Sequence, residues 1–65
     1  SNNEHKGDIT KTLAYDIKPI TIEDAKLKLD SERDSMFLPF VNVETNEVNI
    51  LYKRNDGSFG IVIPE

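Results

Sequence analysis

Hydrophobic side chains in this 65-residue chain fall into four short runs of strand character and one stripe at helical spacing, separated by polar turns. In 9–17, Ile9, Leu13, Tyr15 and Ile17 point one way and Thr10, Thr12, Ala14 and Asp16 the other, with Lys11 the exception. A period of two marks a half-buried strand. Pro19 ends or turns that strand, because proline has no amide to give to a ladder. Thr21 then offers its hydroxyl as an N-cap, and Asp24 stands where a capping box needs a carboxylate. Glu23 and Asp24 suit the positive end of the helix dipole, and Lys26 and Lys28 the other end. Ile22, Ala25 and Leu29 trace the buried stripe of this helix, and Leu27 projects from nearly the opposite side. The charged stretch 30–35 frays it near Arg33. Residues 36–43, 48–54 and 59–63 read as three further strands, with Pro39 better suited to an edge or a bulge. The pattern predicts an α+β domain of order β-α-β-β-β, an antiparallel meander with one helix packed on one face.

Two turns set the expected register. Asp56-Gly57 between two apolar runs signals a two-residue hairpin loop, whose central positions need positive φ. Asn46 stands in the preceding loop, and Asn is the residue after glycine that best tolerates a left-handed conformation. With Val43 opposite Val48 and Asn55 opposite Ser58, one face gathers Phe37, Val41, Val43, Val48, Ile50, Tyr52, Phe59, Ile61 and Ile63. That face is the expected core beneath the helix. The other gathers Leu38, Phe40, Leu51 and Val62 around Gly60, with Asn42, Asn49 and Lys53 at its rim. A sheet face turned to water usually reads polar. An apolar centre with a polar rim is instead the composition of a partner surface. The mundane alternative is that the N-terminal strand or its lead-in folds over this face. The candidate contact residues are therefore Leu38, Phe40, Leu51 and Val62, with Leu27 at the margin, and Asn46, Asp56 and Gly57 define the turns. A slip of one residue would exchange the two faces.

Size sharpens the expectation of a partner. A domain this small buries only about 60% of the surface its unfolded chain exposes. The chain has no cysteine, so neither a disulfide nor a thiolate metal site can staple it, and small unstapled domains usually lean on oligomerisation. Residues 1–8 carry no apolar side chain and read as a linker remnant or disordered start ahead of a domain at 9–65. Twelve acidic and eight basic side chains give a formal charge of −4, and the longest basic run is Lys53-Arg54. That footprint argues against direct nucleic-acid binding. The longest apolar run, 61–63, falls far short of a membrane span. The absence of cysteine fits the cytoplasm.

The residue types that carry catalysis are poorly placed for it. His5 is the one histidine and lies in the polar start. The carboxylate pairs Glu23/Asp24, Asp30/Glu32 and Glu44/Glu47 each have a structural role at a helix end or turn. Catalytic pairs need burial to separate their pKa values, and charged stretches seldom supply it. No phosphate-cradling glycine spacing and no metal-ligand cluster is present, and Ser31, Ser35 and Ser58 have no nearby base. The chain is expected to be no enzyme, with no cofactor and no small-molecule substrate.

Four local patterns, in order and spacing, resemble the C-terminal domain of long-form ribosome hibernation promoting factors. Lys18-Pro19-Ile20-Thr21-Ile22-Glu23-Asp24-Ala25 is similar to that family's entry to its helix, and Phe37-Leu38-Pro39-Phe40 to its aromatic strand. Asn42-Val43-Glu44-Thr45-Asn46-Glu47-Val48-Asn49 is similar to its turn, and Tyr52-Lys53-Arg54-Asn55-Asp56-Gly57-Ser58-Phe59-Gly60 to its second hairpin. Pro39 and the charged stretch 30–35 depart from the family pattern. The resemblance implies a homodimerisation module that pairs two idle ribosomes and supports translational silencing under stress. It also implies a separate N-terminal domain that binds the small ribosomal subunit. A face-to-face contact of two copies is the leading geometry, and edge pairing through 9–17 the alternative. A heterotypic adaptor using the same apolar face is the rival function.

Overall fold

The structure, a computed structural model, describes residues 4–65. Its elements run β1 (Pro19–Ile20), α1 (Ile22–Ser31), β2 (Phe37–Asn42), β3 (Glu47–Lys53) and β4 (Phe59–Val62). They form one four-stranded mixed sheet of order β1-β2-β3-β4, with β1 parallel to β2 and the other neighbours antiparallel. The α+β class and the β-α-β-β-β order are those the sequence pattern predicts.

The first strand is much shorter than expected and lies elsewhere. Residues 9–17 form no strand; only Pro19 and Ile20 pair, with Val41 and Asn42. Proline chemistry explains the break. The ladder runs through Val41 N–H to Lys18 C=O and Val43 N–H to Ile20 C=O, at 3.0 and 3.2 Å. The next donor back along β2 would be residue 39, which is Pro39 and has no N–H.

Helix α1 starts as its sequence dictates. Thr21 is the N-cap in extended conformation, and its Oγ1 accepts from the Asp24 amide at 3.0 Å. The helix ends at Ser31, where Glu32 N–H donates to Leu29 C=O. Lys53 Nζ donates to the Glu32 carbonyl at 2.8 Å, so a strand-end cation satisfies an acceptor at the negative end of the helix. Lys53 was expected to face solvent at the rim of an open face.

Both hairpins differ from the predicted register, with opposite consequences. In β2–β3 the loop is 43–46, and Val41 rather than Val43 lies opposite Val48. A two-residue slip preserves the faces. Asn46 takes φ 59°, the one non-glycine residue with positive φ among those described. In β3–β4, Arg54 N–H donates to Ser58 C=O and Gly57 N–H to Arg54 C=O. The loop is therefore Asn55-Asp56-Gly57, a three-residue turn with only Gly57, at φ 87°, left-handed. Asp56 Oδ1 accepts from Ser58 N–H at 3.0 Å and from the Ser58 hydroxyl, which completes the turn. Lys53 now pairs with Phe59 and Ile50 with Val62, one residue away from the prediction, and every β4 side chain changes face.

The core lies on the side opposite to the one expected. Ala25 and Leu29 of α1 pack on Leu38, Phe40 and Leu51, with Ile20, Ile22 and Phe59 at the edge. Leu38, Phe40 and Leu51 are thus buried by the chain's own helix and are not available as a contact surface. A helix that connects two parallel strands crosses in the right-handed sense in nearly all proteins, which sets the side of the sheet it takes, and the phase of the ladder, with the Val41 and Val43 amides turned to the first strand, sets which alternate residues point there. Hydrophobic periodicity carries no such information when both faces are apolar. Asn42 and Asn49, expected at the rim, are buried on the helix side, and Asn42 Nδ2 donates to Asn49 Oδ1 at 2.9 Å. The same Asn42 accepts through Oδ1 from the Glu44 amide at 3.0 Å, tying this buried pair to the β2–β3 turn.

Candidate functional site

With α1 on one side, no element among the described residues packs over the opposite sheet face. Along β2 that face carries Phe37, Pro39 and Val41; along β3, Val48, Ile50 and Tyr52; along β4, Gly60 and Val62. Phe37, Val48, Tyr52 and Val62 are exposed, and Pro39, Val41 and Ile50 half-buried only by their neighbours. Of the four sheet residues expected to form a contact surface, only Val62 stands on this face. Gly60, expected on the same surface, also stands here, and Phe37, Val41, Val48, Ile50 and Tyr52 are residues the sequence pattern places in the core. Leu27 is 70% exposed on the solvent side of α1, on the far side of the sheet from this patch.

The face has a defined relief. Gly60 lies opposite Tyr52, and the Tyr52 ring sits where a side chain on residue 60 would be. Glycine here lets the ring lie flat on the sheet, a packing often used to cover a strand glycine. Phe37 stacks with Tyr15, ring centroids 5.5 Å apart and tilted by 46°. A band of aromatic and β-branched side chains therefore runs from Tyr15 through Phe37 and Tyr52 to Val62.

The accessible surface of the chain is 5554 Å², whereas a compact monomer of its 7.4 kDa mass would expose about 4,200 Å². The excess belongs to the chain as a whole, the exposed stretch ahead of β1 included.

The remaining surface offers less to a ligand. One open cleft, ≈ 370 Å³, is lined by Asp30, Arg33, Lys53, Arg54, Gly57, Ser58 and Phe59 and opens to solvent. His5 and Asp8 lie 3.8 Å apart on the exposed N-terminal turn. The Asp56 carboxyl is held below the ordinary carboxylate range, first by the Ser58 hydroxyl and then by the Ser58 amide. That is a turn device on a fully exposed group. Among the described residues, no three His, Cys, Asp or Glu side chains gather as a metal would need, and no helix is long and apolar enough to cross a membrane.

The geometry defines a class: a small α+β module with one sheet face used for its own core and the other, equally apolar, presented outward. The chain belongs to the family described as Sigma 54 modulation/S30EA ribosomal protein C terminus, which matches residues 4–61. It is 40% identical over 58 residues to the chloroplastic ribosome-binding factor PSRP1 of Spinacia oleracea, covering 89% of this chain and 19% of that protein. It is 36% identical over 61 residues to the ribosome hibernation promotion factor of Bacillus subtilis, covering 94% of this chain and 32% of that protein. The Picosynechococcus factor of the same name is 31% identical over 61 residues, covering 94% of this chain and 31% of that protein. The chain therefore spans a third or less of each of these relatives, and it is a C-terminal domain of the ribosome hibernation factor family.

Proposed function

We propose that this domain is the homodimerisation module of a ribosome hibernation factor, and that its outer sheet face is where two copies meet. A two-fold pair formed this way holds two factors together, and through them two idle ribosomes, and so supports translational silencing. Attachment to the small ribosomal subunit belongs to parts of the factor outside this chain. The relatives' names, ribosome-binding and ribosome hibernation promotion factor, supply the ribosomal half of the reading.

The observation that carries the pairing half is the outward band Phe37, Val41, Val48, Ile50, Tyr52 and Val62. An isologous contact needs a self-complementary patch, and a flat apolar sheet face meets that condition without charge matching. Burying several hundred Å² of apolar surface on each copy, at about 25 cal/mol per Å², works against the cost of association. Leu38, Phe40 and Leu51 act in this reading from beneath, by holding the sheet flat against α1.

Sedimentation equilibrium tests the pairing. The chain should sediment as a dimer at micromolar concentration. Val48→Asp should sediment as a monomer with an unchanged circular dichroism spectrum, because Val48 is half exposed in the single chain and supports no core contact. Leu27→Asp, on the opposite side of the molecule, should leave the dimer intact. Equal masses for the chain and Val48→Asp would place the contact elsewhere. A monomeric unsubstituted chain would favour a heterotypic adaptor that offers the same face to a different protein.

A further inference from the structure

The segment 9–17 is extended yet is not part of its own chain's sheet. Among the described residues, none of its amides or carbonyls takes part in a backbone hydrogen bond. Pro39 denies it the next rung of the β1–β2 ladder, as above. Its Tyr15 stacks on Phe37. It is nevertheless apolar at Ile9, Leu13, Tyr15 and Ile17, and Ile9 is 91% exposed.

Two measures show that the chain is elongated. The radius of gyration is 14.4 Å, against roughly 11 Å for a compact domain of this length. The longest dimension is 47 Å, about twice the other two at 26 and 22 Å. Parity then sets the direction of 9–17. Continuing the pairing of Pro19 with Val41 backwards puts Ile17 beside Pro39 and Tyr15 beside Phe37, so the odd-numbered side chains lie on the outer-face side. The exposed apolar side chains of 9–17 thus extend the outer face beyond the end of the sheet.

We infer that 9–17 is an exchanged arm: in the pair proposed above, on which this inference rests, each copy lays Leu13, Tyr15 and Ile17 on the outer face of the second copy. The sheet faces alone are small, and the arms extend the contact past the ends of the sheets. The occupant is a second copy of this chain because the arm and the face it would cover share one side of one molecule. A two-fold axis brings each arm over the other copy's face. Leu13, Tyr15 and Ile17 are all exposed in the single chain, so covering them on a second copy adds apolar area to that of the sheet face.

The test is a sample mixing isotope-labelled and unlabelled full chains, read by filtered NOE spectroscopy, alongside sedimentation of Leu13→Ser. The expected result is intermolecular NOEs from the Leu13 and Ile17 methyls to Val48, Ile50 or Tyr52, and a Leu13→Ser dimer weaker by about tenfold to a hundredfold. Leu13 lies outside the core, so the variant should keep the circular dichroism of the unsubstituted chain. Sheet-face NOEs between copies with arm NOEs only within one copy would overturn the exchange and leave the pairing standing. A Leu13→Ser dimer as tight as the original would do the same. An unsubstituted chain that sediments as a monomer would overturn the pairing and the exchange together.

Discussion

Phe40→Ala separates a fold residue from a contact residue, because the sequence pattern put Phe40 on the partner face and the structure puts it under the helix. Phe40 is 1% exposed, packed among Ala25, Leu29, Leu38 and Leu51. Removing its ring forfeits about 1.5–3 kcal/mol of apolar transfer. The cavity left under α1 raises the total to about 3–5 kcal/mol, the usual range for Phe→Ala in a core. A domain of this length has roughly 3–10 kcal/mol of stability in all. The substitution should therefore unfold much of the population or move it to the edge of unfolding. Urea denaturation followed by circular dichroism, at one fixed protein concentration so that association contributes equally, measures the loss. A Phe40→Ala protein that keeps its denaturation midpoint and becomes monomeric would refute the placement of the core and restore Leu38, Phe40 and Leu51 to an outer surface.

Other substitutions probe single contacts. Asn49→Ala removes the acceptor of the buried Asn42 amide and should cost about 1–3 kcal/mol in the same denaturation assay, well above a surface Asn→Ala change. Thr21→Ala deletes the N-cap acceptor for Asp24 N–H and should cost about 1 kcal/mol, with Thr21→Ser nearly silent. Ser58→Ala should let the Asp56 carboxyl rise towards its ordinary range in an NMR titration, since the Ser58 hydroxyl is the main cause of its depression. The folded Asp56 is the stronger acid, so its turn contact stabilises the fold above the unfolded carboxylate range and is lost as pH falls through the lowered folded value. The pH dependence of stability in acid should accordingly flatten in Ser58→Ala, and an Asp56 titration unmoved by the substitution would contradict the assigned cause.

The parts of this fold governed by local chemistry were legible in the sequence. Thr21 as N-cap, Asn46 and Gly57 as left-handed turn residues, the helix stripe Ala25 and Leu29, and the order of elements all depend on neighbours a few residues apart. What depended on longer range was not. Counting loop residues could not distinguish a two-residue turn at Asp56-Gly57 from the three-residue turn that forms, because both need a glycine. That single step reverses β4. Nor could alternation say which side of the sheet the helix covers, because Phe37, Val41, Val48 and Ile50 are as apolar as Leu38, Phe40 and Leu51. The β1-α1-β2 crossover together with the phase of the β1–β2 ladder decides it, and both depend on the pairing of Pro19 and Ile20 with residues more than twenty positions away. The existence of a second apolar face was therefore readable, and the residues that compose it were not.

Pairing through the outer face requires that this face be dry in solution. A soluble paramagnetic agent added to the methyl-labelled chain reads this side chain by side chain. At concentrations where the chain sediments as a dimer, the methyls of Val41, Val48, Ile50 and Val62 should be shielded nearly as well as those of Leu38 and Leu51, and should become bleached on dilution to monomer. Bleaching of the outer methyls at every concentration, with Leu38 and Leu51 protected throughout, would mean that the face stays wet and that two copies do not meet there.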